Sequence, residues 1–257
     1  MIAGVMNSIA GAGTLVTFPA LVAAGISPID ANVTSTVALV PGAAGSMWGY
    51  RRQLAGAQPW ALGFALPSLL GGAVGAWLLL VTPPDRFKAL VPWLVLGASF
   101  LFLLQRPVMR WLRHIQTGDA APSDWYDGDP SRDRALTATR PPASVLFYQF
   151  LVSVYGGYFG AGVGILMLAA LGFMGLGNIH RMNGLKNWGG LCMNAVAATM
   201  FAFTRFVHWP IALAMAAGAV SGGYLGSRVA QRVPQGLVRG AVVVIGLVSG
   251  VTMLFSR

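Results

Sequence analysis

The sequence of 257 residues has no glutamate, and its whole acidic complement is seven aspartates. Five of these (Asp119, Asp124, Asp127, Asp129 and Asp133) fall in one polar stretch, which leaves Asp30 and Asp85 near the apolar segments. A relay of carboxylates through a bilayer, as proton-driven pumps use, has almost nothing to be built from. Cysteine is equally scarce. Cys192 stands alone, which excludes an intramolecular disulfide and a thiolate metal cluster. His180 and His208 sit at segment ends far from each other and without carboxylates beside them, so no metal site is expected. No serine or threonine has a partnering histidine and acid, so no catalytic residue and no cofactor are expected. Met1 opens directly onto apolar sequence with no basic leader, which argues against a cleavable signal peptide.

Charge as a whole is sparse. Only 9% of residues are charged and 56% are hydrophobic, whereas a soluble domain carries about 25% charged residues. The apolar runs recur along the chain and the charges avoid them. The sequence therefore reads as an all-α, polytopic helical membrane protein. The net charge of +10 comes from arginines in short loops, the pattern of positive cytoplasmic loops rather than of nucleic-acid binding.

Eight apolar segments are expected, at roughly 1–24, 29–50, 57–81, 87–104, 143–175, 179–204, 208–230 and 235–256. Turn-forming sequence separates them, such as Gly25-Ile26-Ser27-Pro28, Thr82-Pro83-Pro84-Asp85 and Val233-Pro234-Gln235-Gly236. Residues 1–104 form a first membrane unit, 105–142 a polar linker and 143–257 a second membrane unit. Arg106, Arg110 and Arg113, with Trp111, read as a basic amphipathic continuation of the fourth segment at the cytoplasmic interface.

The units are repeats. Adding 151 carries Gly11 to Gly162, Gly13 to Gly164, Asn32 to Asn183 and Pro59 to Pro210. The same offset carries Gly71, Gly72 and Gly75 to Gly222, Gly223 and Gly226, and Pro83 to Pro234. These paired glycines suit close helix packing.

The first segment of each repeat is interrupted, at Gly11-Ala12-Gly13 and at Gly160-Ala161-Gly162-Val163-Gly164. The second of these lies in an apolar run longer than the roughly 20 residues that a straight span needs. Two arrangements fit. If all eight segments cross the membrane, the repeats are parallel, and ten basic residues lie on the linker side against six on the other. If each broken segment is a re-entrant hairpin, each unit makes three crossings and the repeats are inverted, as in many transporters.

A helix broken within the bilayer frees N–H groups at the start of its second half, where the helix dipole favours an anion. Gly11-Ala12-Gly13-Thr14 and Gly162-Val163-Gly164 suit that role because glycine lets a ligand reach the backbone. Behind each break the next helix starts with polar residues. Asn32, Ser35 and Thr36 share one helical face, as do Asn183, Lys186 and Asn187, and Asn194 extends the second face. Lys186 is the one basic residue well inside an apolar segment, at a cost of about 2.5–3.5 kcal/mol. Asp30 is the only acid expected to be able to reach it. The favoured reading is a cation facing an aqueous cavity and available to an anion.

Several pieces together resemble the TauE/SafE family of sulfite and organosulfonate exporters, the TSUP permeases. They are the Gly-x-Gly before Pro19, Ala31-Asn32-x-Thr34-Ser35, His180-Arg181-Met182-Asn183-x-x-Lys186-Asn187, and Gly222-Gly223-Tyr224-Leu225-Gly226-Ser227-Arg228. The first copy has Ala12 and Thr14 where the family often has glycine. The resemblance covers nearly the whole chain except the linker. It implies secondary transport of a small anion such as sulfite, a sulfonate or an organic acid across a bacterial inner membrane, with room for a homodimer.

On that basis the site is expected at the repeat interface. Gly11, Ala12, Gly13, Gly162, Val163 and Gly164 would offer backbone N–H groups, Asn32, Thr34, Ser35, Asn183 and Asn187 side-chain hydrogen bonds, and Lys186 charge. An anion channel or a structural membrane subunit is the alternative. A membrane-embedded transferase would need a carboxylate or histidine cluster that is not there.

Overall fold

The computed structural model describes residues 1–117, 130–229 and 235–255. Asp119, Asp124, Asp127, Asp129 and Pro234, singled out above, lie outside them. The described residues contain helices and no strand. In chain order these are α1 (Ile2–Ala10), α2 (Gly13–Ala23), α3 (Pro28–Tyr50), α4 (Gln58–Val81), α5 (Pro84–Thr117), α6 (Pro130–Ala138), α7 (Ala143–Tyr158), α8 (Val163–Phe173), α9 (Ile179–Ala202), α10 (Trp209–Val229) and α11 (Gln235–Phe255).

The bundle has an apolar outside and polar residues within. Leu62, Leu66, Leu70 and Trp77 follow one face of α4 and point outward, Leu62 being 72% exposed. Trp93, Phe100, Phe147 and Leu213 are exposed on other helices. Asn32, Ser35, Ser68, Gln149, Ser153, Asn183 and Lys186 are buried. In water such an arrangement would be unfavourable, because apolar surface should leave solvent and polar groups should keep it. In hydrocarbon it is favourable. The chain is a polytopic helical membrane protein. By length and apolar composition alone, α4 is the one helix among the described residues that suffices to cross a bilayer. At 23 and 24 residues, α3 and α9 reach about 35 Å, but polar inner faces dilute their apolar character.

Both interrupted segments fold back on themselves. Tyr148 Oη of α7 donates to the Leu166 carbonyl of α8 at 3.2 Å, and Tyr155 Oη to Ala161 at 2.6 Å. In a straight continuation, residues 148 and 166 would be about 27 Å apart. Three packing contacts give the same answer for α1 and α2. Gly4 of α1 lies against Ala219 and Gly223 of α10, while Val5 and Ser8 lie against Gly226, so α1 and α10 run in the same sense. Helix α3 also runs with α10, from Thr34 beside His208 to Ser46 beside Gly223. Helix α2 runs against α3, with Thr17 hydrogen-bonded to Ser35 and Gly13 beside Leu39. Thus α1 and α2 are opposed.

The long helices have a consistent set of directions. Helix α4 runs with α7, Gly63 near Leu146 and Gly75 near Val154, and with α9, where Trp188 Nε1 donates to the Ala61 carbonyl and Gly72 abuts Met193. Helices α5 and α11 are antiparallel, Gly246 meeting Ser99 and Gly250 meeting Leu96. Helices α3 and α9 are also opposed, since Gly184, early in α9, touches Gln53 and Leu54 just past the end of α3. Helix α3 shifted by 151 residues covers 179–201, almost the span of α9, and yet the two point in opposite directions.

These directions define two ends. At the near end lie the starts of α3, α5 and α10, where His208 Nε2 is 3.4 Å from Asp30 Oδ2. At the far end lie the starts of α4, α7, α9 and α11. Helix α6, within the segment read as linker, docks there. Asp133 accepts from the amides of Gly177 and Asn178 at 3.1 and 2.8 Å, and Thr137 Oγ1 accepts from Arg181 Nε and Nη2 at 3.0 and 2.6 Å. Helix α5 continues to Thr117, so the opening of that polar segment is also helical.

The α4–α9 crossing has no room for a side chain on α4. A Cβ on Gly72 would lie 2.6 Å from the Met193 carbonyl and 2.9 Å from Val196 Cγ1. Gly72→Ala is expected to lower stability by about 1–3 kcal/mol, the usual cost of overpacking, seen as an earlier thermal unfolding midpoint in detergent. Gly97→Ala, where nothing lies within 4 Å of the new methyl, is the control and should unfold no earlier than wild type.

Candidate functional site

The two hairpin tips meet. A Cβ added to Gly11 would lie 2.8 Å from Gly164 Cα, so backbone approaches backbone with no side chain between. Gly11 has φ +68° and closes α1 with its N–H on the Asn7 carbonyl. Gly162 has φ +77° and opens α8. Both conformations are costly for residues with a Cβ, which is why glycine stands at these bends.

Beside this contact lies a small cavity of about 30 Å³, lined by Asn7, Gly11, Ala43, Val163, Gly164, Met167, Lys186, Asn187, Gly190 and Asn194. It gathers both hairpin tips, the middle of α3 and one face of α9. Lys186 is 2% exposed, and its Nζ lies 3.4 Å from the Ser8 carbonyl of α1. Asn187 Nδ2 is buried and has no hydrogen-bond acceptor. The Gly164 N–H, in the first turn of α8, likewise has no backbone acceptor, while its neighbours Val163 and Ile165 use Gly160 and Gly162. An ammonium, an amide NH₂ and a backbone N–H at a helix start therefore line one cavity. All three are donors, and their shared complement is an anion with several acceptor oxygens. The cavity exceeds the ~10–15 Å³ needed for one water but is too small for a sulfonate. An anion of that size fits only if the tips separate.

Of the residues expected at the site from sequence, Gly11, Val163, Gly164, Lys186 and Asn187 line this cavity. The others lie elsewhere. Ala12 is fully buried, Gly13 packs on Asn7 and Leu39, and Gly162 packs on Ala98. Asn183 is buried with its Oδ1 unpartnered. The polar residues of α3 act as fasteners. Asn32 Nδ2 donates to the Tyr158 carbonyl at 2.9 Å, Thr34 Oγ1 accepts from His208 N at 3.0 Å, and Ser35 pairs with Thr17. Asp30, expected to be able to reach Lys186, is instead beside His208 at the near end. Asn7, Ala43, Met167 and Gly190 were not foreseen. Asn7 had one signal, a carboxamide in the otherwise apolar α1. Ala43, Met167 and Gly190 have none, since nothing distinguishes them from packing residues.

An apolar-surfaced bundle with a buried lysine beside two folded-back tips fits the class of membrane transport proteins. Sequence comparison gives the family. Residues 1–253 match the sulfite exporter TauE/SafE family, and the chain belongs to it as a membrane transporter. It is 28% identical over 256 residues to a probable membrane transporter protein, ORF9, of a Sinorhizobium species, covering 98% of this chain and 88% of that protein. It is 26% identical over 263 residues to the probable membrane transporter protein YfcA of Escherichia coli K12, covering 99% and 87%. A probable membrane transporter protein of Haemophilus influenzae is 25% identical, covering 100% and 92%. No solved structure matches.

The Gly11–Gly164 contact yields a direct test. Gly11→Ala combines a left-handed φ with a methyl driven against backbone, and each effect costs on the order of 1–2 kcal/mol. The variant is expected to unfold several degrees earlier than wild type and to lose most of its transport. Wild-type stability and flux would disprove the close approach.

Proposed function

We propose that this protein is a secondary carrier, not an enzyme, that moves small anions of the sulfite and organosulfonate kind out across a bacterial inner membrane by alternating access. The observation that carries the reading is the convergence of Lys186, Asn187 Nδ2 and the Gly164 N–H on one cavity at the meeting point of the two hairpins. A sulfonate offers three acceptor oxygens and one negative charge, matching three donors and one cation. Desolvating an ammonium is expensive, and a bound anion offsets that cost. In this reading α1–α2 and α7–α8 are re-entrant hairpins, each unit crosses three times, and the repeats are inverted about the cavity.

The orientation follows from charge. With three crossings per unit, the far end collects Arg51, Arg52, Arg106, Arg110, Arg113, Arg132, Arg134, Arg140, Arg181, Arg228 and Arg239, eleven among the described residues. The near end has Arg86, Lys88 and Arg205, three. Eleven against three assigns the far end and its docked α6 to the cytoplasm. Outward movement of a monoanion is then favoured by the negative-inside potential, by about 2.3 kcal/mol per 100 mV. Export needs no carboxylate relay, consistent with a chain that has none in its membrane segments.

In proteoliposomes, wild type is expected to give saturable sulfite flux that is accelerated by sulfite on the trans side. Non-saturating flux without trans-stimulation would instead indicate a channel. Lys186→Ala should reduce flux at least tenfold while the protein still elutes as a folded species in size exclusion. Unchanged flux would remove Lys186 from the mechanism. Orientation is checked in a Cys192→Ala background. In intact cells a membrane-impermeant maleimide should label Arg205→Cys but not Arg134→Cys, and the reverse pattern would invert the assignment.

A further inference from the structure

A second and larger cavity, about 380 Å³, opens at the far end and is lined by Arg52, Gln53, Ala55, Gly56, Asp133, Arg134, Asn178 and Arg181. It shares no residue with the Lys186 cavity. Three guanidinium groups meet there from three elements: Arg52 in the α3–α4 turn, Arg134 on α6, and Arg181 in the first turn of α9. The opposing charge in the lining is Asp133, and its two carboxylate oxygens already accept from the amides of Gly177 and Asn178. The lining therefore has a net charge of about +2.

Arg181 gives this cluster its meaning. It is only 7% exposed, so its charge has left most of its water. Its Nε and Nη2 both donate to one neutral acceptor, the Thr137 hydroxyl. Its Nη1 has no hydrogen-bond acceptor among the described residues. A buried cation needs a countercharge and filled hydrogen bonds to be stable; Asp133 supplies one negative charge for three guanidinium groups, and the Thr137 hydroxyl supplies none. Arg52 and Arg134 are exposed at the mouth and free to turn inward. Guanidinium forks match the spaced oxygens of a tetrahedral oxyanion better than a point charge does.

We propose that this cavity is an anion-binding site distinct from the Lys186 cavity, selective for a small divalent oxyanion such as sulfate, held by Arg181 with Arg52 and Arg134 closing over it. Two sources could supply that chemistry, a free solute or the phosphate of an anionic lipid. The lining favours the free solute, because it contains no large apolar side chain on which an acyl chain could lie. The site lies where α6 is fastened to the start of α9. An anion bridging Arg134 of α6 and Arg181 of α9 would reinforce that junction.

The test is equilibrium binding of radiolabelled sulfate to the full-length protein in nanodiscs of neutral phosphatidylcholine at constant ionic strength. Saturable binding is expected. It should weaken at least tenfold in the Arg52→Ala/Arg134→Ala double variant, whose altered side chains are exposed and whose fold should be retained. Arg205→Ala, which removes an exposed guanidinium at the near end and touches neither cavity, should bind sulfate within twofold of wild type. Wild-type affinity in the double variant overturns the site, and so does an equal loss of binding in Arg205→Ala. If phosphatidylglycerol in the disc abolishes sulfate binding, the occupant is a lipid headgroup and the free-anion assignment fails.

Discussion

Two chain reversals can meet backbone to backbone inside a helical bundle only if neither carries a side chain at the meeting point, and the rest of this structure depends on that constraint. Gly11 and Gly164 satisfy it, with room for a backbone contact and nothing more. Exposed backbone at membrane depth is tolerated only where protein buries it or where it lines a polar cavity. Both conditions hold here. The tips are enclosed by α3, α9 and α10, and the N–H groups left over by the breaks face a small polar space. A stretch of chain that lipid would reject is thus enclosed by protein, beside the cavity proposed to hold the solute.

Around the tips, small residues set the distances. Gly72 of α4 meets Gly157 of α7 and Met193 of α9, while Gly223 of α10 meets Gly42 of α3 and Gly4 meets Ala219. Lipid gives no hydrophobic drive for helices to associate, so close van der Waals contact and interhelical hydrogen bonds carry more of the load. The buried Gln149–Ser68 and Gln149–Ser153 bonds and the Asn32–Tyr158 bond belong to the second kind. The charged residues, excluded from this interior apart from Lys186, gather at the ends, and that sorting is also what gives the molecule its orientation.

Much of this was readable beforehand. The offset of 151 residues pairs α3 with α9 and α4 with α10, and turn residues mark most helix ends to within a few positions, although α5 runs well past the expected end at 104, to Thr117. The direction of each hairpin was not readable, because Gly160 to Gly164 can break a straight helix or reverse it. The choice depends on whether α7 and α8 pair side by side, which Tyr148 and Tyr155 decide through hydrogen bonds to carbonyls that have no sequence signature. The site was legible in part for a related reason. A lysine in an apolar segment is conspicuous, but Asn32, Thr34 and Ser35 look alike whether they bind a solute or fasten a helix. Their partners are backbone groups or distant side chains, and only the fold reveals them.

The two units that the offset pairs are unequal in chemistry. The offset that pairs α3 with α9 puts Lys186 opposite Ser35, Asn187 opposite Thr36 and Asn194 opposite Ala43. The second unit therefore supplies the charge and most of the donors, and the first supplies closure. That division extends to the hairpins. Ser35 is tied to Thr17 of α2, and the counterpart of Thr17 is Leu168, which has no group to tie to Lys186. Helix α2 is thus fastened to its neighbouring long helix at the level of the cavity, whereas α8 is held to α7 through Tyr148 and Tyr155. The unequal halves leave the protein one buried cation to accommodate, where a symmetric pair of charged half-sites would have two.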